Sequence, residues 1–228
     1  MSSAKPQRAC SEFEAKLREA VMQYSMLKHP FYVAWTEGKL SQAVLREYAK
    51  QYYAHVRAFP TYVSGVHSHC EDLSVRRELL ENLIEEERGN ENHPELWLRF
   101  AEALGVQRDA VRSAELLPST KASVKSLQSL TQSDDYRKGM AALFAYESQI
   151  PAVAQTKREG LKEFYGIDDE RAVSFFRVHE DIDVRAVHGP VLGGSSWPNR
   201  SPSNSVIFPT EPRKRKTRLR QRRIRPRR

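Results

Sequence analysis

Glu85-Glu86-Glu87-Arg88-Gly89-Asn90-Glu91-Asn92-His93 sets a run of carboxylates and one imidazole where a helical pattern is running out. Upstream, residues 73–87 read as an amphipathic helix with Leu79, Leu80, Leu83 and Ile84 turned inward. Downstream, Pro94 opens a helix through Trp97, Phe100 and Leu104 that Gly105 closes. Glu86 and His93 stand seven residues apart. At about 100° per residue, a continuous helix would put them on one face but about 10 Å apart along its axis. One ion cannot span that distance. The stretch therefore serves two ions, or it unwinds at Gly89-Asn90 and swings His93 back, which glycine makes feasible. An acidic helix end running into a solvated loop would look the same, so residues elsewhere must decide.

Outward from this stretch the pattern is helical throughout. Ser11 reads as a cap with Glu14 at the third position and apolar residues at Phe13, Leu17, Val21, Tyr24 and Leu27, ended by His29-Pro30. After the aromatic run Phe31-Tyr32-Val33-Ala34-Trp35, Ser41 caps a long helix whose Leu45, Tyr48, Tyr52, Tyr53, Val56 and Phe59 form one broad buried face. Pro60 starts or kinks its continuation through Tyr62, Val63 and Val66. Residues 106–133 give weaker helical signals, 135–161 predict a long helix bent at Pro151, and 168–186 predict the last one. No period-two alternation appears. The fold class is all-α, an orthogonal or up-down bundle of seven to eight helices.

The 228 residues suffice for one domain with a substantial core, and the division read here is a flexible N-terminus over 1–10, a helical domain over 11–186 and a Pro/Arg-rich tail over 187–228. The tail is expected to be disordered. It carries twelve Lys and Arg against Glu211 alone, a charge of +11, so the formal +8 of the chain leaves −3 for the remainder. A slightly acidic body has no nucleic-acid footprint, and affinity for nucleic acid would reside in the basic tail alone. Cys10 and Cys70 make neither a disulfide framework nor a thiolate metal site, which fits a reducing cytoplasm. No run of 18 apolar residues and no leader pattern point to a membrane or to export.

Two further places carry chemistry. Glu147 lies among Leu143, Phe144 and Ile150 on a helix that belongs in the core, and burying an ionised carboxylate costs several kcal/mol unless a cation or strong hydrogen bonds compensate. His179 and Asp183, four apart, share a helix face and could chelate one ion. Each alone reads as readily as a structural ion pair. Glu86, His93, Glu147, His179 and Asp183 together match the way helical bundles build di-iron or di-manganese sites.

The segments Phe31 to Trp35, Tyr48-Ala49-Lys50-Gln51-Tyr52-Tyr53, Phe59-Pro60, Glu86 through His93, Tyr146 to Pro151 and His179 through Arg185 resemble the family of the Chlamydia protein associating with death domains. That family belongs to the haem-oxygenase-like di-iron oxidases and is related to the pyrroloquinoline quinone biosynthesis protein C. The resemblance covers residues 12–186. It implies a compact haem-oxygenase-like bundle without haem, two iron ions or a mixed iron/manganese pair, and oxygen-dependent synthesis of p-aminobenzoate for folate, with dioxygen and a reductant as co-reactants. It further implies that Glu86, His93, Glu147, His179 and Asp183 are metal ligands, that Tyr32 is the sacrificed ring and that Lys157 is the amino donor. A cytoplasmic homodimer is expected. Read without the resemblance, Tyr32 is a core aromatic and Lys157 a solvated charge. His67 and His69 read as packing or surface residues, and Cys70 finds no motif for a thiaminase-type nucleophile.

One position departs from the family pattern of His, three residues, Asp, two residues, His: the last falls on Ala186. His188, nine residues after His179, points about 180° away on a continuous helix. A reading-frame shift near codon 186 would account for the missing imidazole and the changed composition together; a genuine basic tail is the alternative. Rival readings are a catalytically impaired scaffold that binds a partner protein, and a cofactor-less oxidase of the pyrroloquinoline quinone biosynthesis protein C type. The departure predicts that the chain binds fewer than two metal ions and that Ala186→His raises the content measured by elemental analysis. Two tightly held ions in the unmodified chain, one of them lost in His188→Ala, would make His188 the substitute ligand instead.

Overall fold

The computed structural model describes residues 4–181, which fold into α-helices and one short 3-10 turn with no strand. The all-α expectation holds. The spine is α3 (Gln42–His69), started by Ser41, whose Oγ accepts from Val44 N at 3.3 Å. Pro60 lies inside α3, so the stretch through Tyr62, Val63 and Val66 continues the same helix rather than starting a new one. Before α3 come α1 (Ala4–Gln23), the turn Met26–Lys28 and α2 (Pro30–Thr36). After it come α4 (Leu73–Glu87), α5 (His93–Ala103), α6 (Arg108–Arg112), α7 (Pro118–Thr131), α8 (Tyr136–Glu147), α9 (Ile150–Tyr165) and α10 (Glu170–Glu180).

Two apolar cores are strung along α3. Leu45, Ala49, Tyr53 and Val56 pack with Trp35, Trp97, Phe100 and Phe176 from α2, α5 and α10. One end further on, Phe59, Tyr62, Val63 and Val66 pack with Leu79, Met140 and Leu143 from α4 and α8. The cores meet between Val56 and Phe59, where the candidate site lies. Trp35 fastens α2 to α9: it is fully buried, its Nε1 donates to Lys157 O at 3.1 Å, and Gly160 lies under its indole.

Several boundaries differ from the sequence reading. The backbone of α1 is helical from Ala4, ahead of Ser11, so that serine is inside the helix rather than its cap. On α4, Leu79 is buried but Leu80 is 43% exposed, because one residue is about 100° around the helix and only the 79/83 face meets α3. The helix predicted over 135–161 breaks at Ser148-Gln149, and Pro151 sits in the first turn of α9, where its missing N–H costs no hydrogen bond. Gln149 is occupied at this break, its Oε1 accepting from Met26 N at 2.7 Å. That break and the short helices α2 and α6 divide the bundle more finely than seven or eight. Among the described residues no helix is long and apolar enough to cross a membrane. Ala186, His188 and the tail lie outside the described residues.

A Cβ added at Gly160 would stand 2.7 Å from Trp35 Cδ1 and Nε1. In an open helix, Gly→Ala gains about 1 kcal/mol. Here overpacking should win, and Gly160→Ala is expected to destabilise the chain by about 1–3 kcal/mol in urea unfolding. A raised midpoint would show that Trp35 is not the rigid anchor of α2.

Candidate metal centre

Of the two arrangements open to the Glu86 to His93 stretch, the structure has the second. After Glu87 the helix stops, Gly89 takes φ +82°, and Asn92 Nδ2 donates to Gly89 O at 2.9 Å while Asn92 Oδ1 caps α5 by accepting from Glu95 N. The chain turns back within five residues, and His93 Nδ1 comes to 2.8 Å from Glu86 Oε2. Both groups are withdrawn from solvent, Glu86 being 5% exposed. The contact lacks the alignment of a hydrogen bond, and His93 Nδ1 is a buried nitrogen with no hydrogen-bond partner. Two ligands aimed at one ion have this geometry, close to each other but not directed at each other.

His179 on α10 completes the group. Its Nδ1 donates to Phe175 O at 2.6 Å, which fixes the tautomer and leaves Nε2 with its lone pair free for a metal. The His179 ring lies 4.5 Å from that of His93, and ligand atoms of Glu86, His93 and His179 all fall within 4.8 Å of one another. Burial, then the His93 charge, holds the His179 pKa well below its ordinary value, so the ring is neutral. Burial also raises the Glu86 pKa, against the pull of His93, and the Glu147 charge adds to it. For His93, burial lowers the pKa but the Glu86 charge overcomes it, and the net direction is upward. A cation among these three would relieve the burial of Glu86 and take the lone pairs of both imidazoles, so the donor set fits a metal.

Glu147, at the C-terminal end of α8 and 5% exposed, shares the cavity wall with Glu86, His93 and His179 without joining the triad. Asn82 Nδ2 approaches its Oε1 at 3.5 Å. Asp183 lies outside the described residues. The cavity itself holds about 50 Å³.

Lys157, on α9, lines the same cavity and is 3% exposed. It is not the solvated charge that sequence alone suggests. Its Nζ donates to Tyr48 Oη at 2.5 Å and lies 4.8 Å from the Tyr52 ring centre, 5.0 Å from Tyr48, 5.2 Å from Tyr32 and 6.0 Å from Phe176. Burial in this aromatic cage lowers its pKa to about 7. Tyr32, on α2, is off the cavity wall, and burial raises its phenol pKa. Lys157 thus touches the Tyr32 ring and lines the cavity of the triad. Cys70, His67 and His69 are also off the cavity wall.

Sequence reasoning missed Tyr52, His55 and Tyr146 as cavity residues. Tyr52 and Tyr146 share a very short hydroxyl hydrogen bond across α3 and α8. The available signal was Tyr48, Tyr52 and His55 recurring at four and three residues, a stripe of rings with polar tips that a plain apolar face does not need.

Known proteins resemble this chain in sequence and in fold. The model of the TENA/THI-4/PQQC family matches residues 14–179. A protein of Nitrosomonas europaea named 4-aminobenzoate synthase is 41% identical over 185 residues, 77% of this chain and 75% of that one. Its namesake in Chlamydia trachomatis serovar D is 44% identical over 160 residues, 70% of this chain and 69% of that one. A solved TenA homologue from Pseudomonas syringae superposes with a TM-score of 0.62 at 17% identity, over 73% of this chain and 71% of the other, which is a likeness of fold.

The triad predicts saturable uptake of a divalent ion by metal-stripped protein, weakened at least about 100-fold in His93→Ala and in His179→Ala, where a direct ligand is lost rather than a supporting group. Because His93 must lose its proton to bind metal and its pKa is raised, occupancy should fall as the pH drops through neutrality, beginning above the ordinary imidazole range. Elemental analysis after dialysis at each pH measures both. Occupancy flat as the pH drops, or unchanged in either variant, would take these residues out of the metal site.

Proposed function

This chain belongs to the TENA/THI-4/PQQC family, and from that premise we propose that it is an oxygen-dependent 4-aminobenzoate synthase whose product ring comes from its own Tyr32. The observation that carries the reading is a buried lysine, lowered to a pKa of about 7, over the Tyr32 ring and on the wall of the cavity that holds the triad. Relatives at 41% and 44% identity, each named 4-aminobenzoate synthase, support the product.

Glu86, His93 and His179 would hold one metal ion, and Glu147 with Asp183 would serve a second; the pair is read as iron, or iron with manganese, and without haem. Two imidazoles and one carboxylate are the donor set of non-haem ferrous oxygenases. Bound there, the metals would activate dioxygen with electrons from a reductant. The residues of the chain supply the rest. Lys157 is the amino donor, and a pKa near 7 leaves much of it as the free amine with a lone pair to give. Tyr48 Oη accepts one of its N–H groups and fixes the nitrogen among the rings, which keep water away. The phenol of Tyr32 stays protonated because burial disfavours its anion.

A cavity of about 50 Å³ accepts waters or dioxygen, whereas pockets for organic substrates span roughly 300–1,000 Å³. That favours a ring already inside the protein over an imported one. It also disfavours cofactor-less oxidation of a fused-ring quinone precursor. The impaired-scaffold reading gains little from the geometry, since burying Glu86, Glu147 and Lys157 together is costly and a docking surface does not require it.

Tyr32→Phe and Lys157→Ala should each lower 4-aminobenzoate at least about 100-fold in aerobic, metal-loaded protein, with circular dichroism unchanged. In the wild type, mass spectrometry should find Tyr32 altered in proportion to product. Lys157 is protonated below its pKa, so the rate should rise with pH through about 7 and then level, rather than climb toward the ordinary 10.5. Wild-type yield from Tyr32→Phe would remove that ring from the reaction.

A further inference from the structure

His55 lies on α3 three residues past Tyr52 and lines the cavity with Glu86, Glu147 and His179. Its ring is held by two tyrosines, with centres 6.0 Å away at Tyr52 and 6.3 Å away at Tyr146, the latter nearly parallel at 21°. The Nδ1 atom is buried and makes no hydrogen bond. Buried imidazole nitrogens ordinarily have a partner, because an unpaired one forfeits its bonds to water and gains nothing in return. Several polar groups nearby are already engaged, and Glu86, His93 and His179 Nε2 belong to the metal triad. The Tyr52 and Tyr146 hydroxyls bond each other, Lys157 Nζ donates to Tyr48, and His179 Nδ1 is tied to Phe175 O. Burial lowers the His55 pKa, so the ring is neutral and offers one N–H and one lone pair. The partner that fits is polar, small enough for about 50 Å³, and delivered by the cavity.

We propose that His55 is a further binding residue of this site, a hydrogen-bonding anchor for a ligand of two or three atoms, a reduced form of dioxygen such as superoxide or peroxide. The proposal rests on the reading of the cavity as a site of oxygen chemistry. His55 takes no part in holding the metal; it orients the small ligand in the cavity that the triad lines, and the two flanking tyrosines keep its ring from turning away.

Azide, a three-atom anion, is the probe. It is titrated into the metal-loaded full-length chain and into His55→Phe and His55→Asn, with metal content measured in each. The phenylalanine keeps the ring packing and removes both nitrogens, and should weaken azide about ten-fold or more at unchanged metal content. The asparagine amide stands near the position of Nδ1 and should recover most of that loss. Should His55→Phe fail to fold, His55→Leu provides the same comparison. Equal azide affinity in the wild type and the apolar variant overturns the proposal, as does a metal-loaded wild type that takes no azide. Loss of metal from both His55 variants overturns it as well, in favour of a ligand role. If azide affinity depends on His55 but the wild type makes no 4-aminobenzoate, the synthase reading fails and this inference stands.

Discussion

The approach of His93 to Glu86 is the contact on which the site depends, and it exists because Gly89 adopts a left-handed backbone that most residues avoid. Had α4 continued, the imidazole would have been carried about 10 Å away along the axis and no single ion could have joined the two. The turn costs little elsewhere. Asn92 closes it at both ends, bonding back to Gly89 O and forward to Glu95 N, so α5 starts from a satisfied cap. A short loop thereby converts two sequential helices into two walls of one cavity.

The rest of the bundle answers a problem of burial. Glu86, Glu147 and Lys157 are all withdrawn from water where the two apolar cores meet on α3, and burial disfavours the charged forms of Glu86 and Lys157. Lys157 responds by shedding charge, with its pKa near 7. Glu86 has a cationic partner within reach in His93, and the group as a whole has the composition of a metal site. At the outer rim, Arg158 grips Glu180 through two hydrogen bonds at 2.5 and 3.0 Å, tying the end of α10 that bears His179 to the helix that bears Lys157. Partly exposed pairs of this kind contribute modestly to stability. Its consequence here is register, since the residue before Glu180 is a candidate ligand.

Much of this was legible in the residues. Glu86 and His93 stood out because they fall where a helical pattern runs out, Glu147 because it interrupts an internal face, and His179 because Asp183 follows four residues on. What periodicity could not supply was distance across the chain. Trp35 meets Lys157 over 122 residues and Tyr52 meets Tyr146 over 94, and no local spacing encodes either contact. The tyrosine stripe on α3 was read as core because rings at three and four residues serve a core and a cage equally well. Boundaries failed where one signal had two uses: Ser11 resembles a cap yet lies inside α1, and Pro151 marks a fresh helix start rather than a bend. Asp183 and Ala186 lie beyond the described residues, and Asp183 was legible only through its spacing from His179 and the resemblance.

A reaction that consumes a residue of its own fold sets a requirement of its own. The residue must be near the chemistry, yet its loss must not open the core. Tyr32 meets both conditions. Its ring is in reach of Lys157, but it belongs to neither apolar core; Trp35, three residues on, carries the packing of α2 through full burial and its bond to Lys157 O. Losing a core aromatic costs about 3–5 kcal/mol, comparable to the whole stability of many domains. Losing one at the edge of the cage, on a seven-residue helix fastened elsewhere, leaves the cores intact. The separation of anchor from reactive ring on α2 is therefore the arrangement a self-consuming site would need.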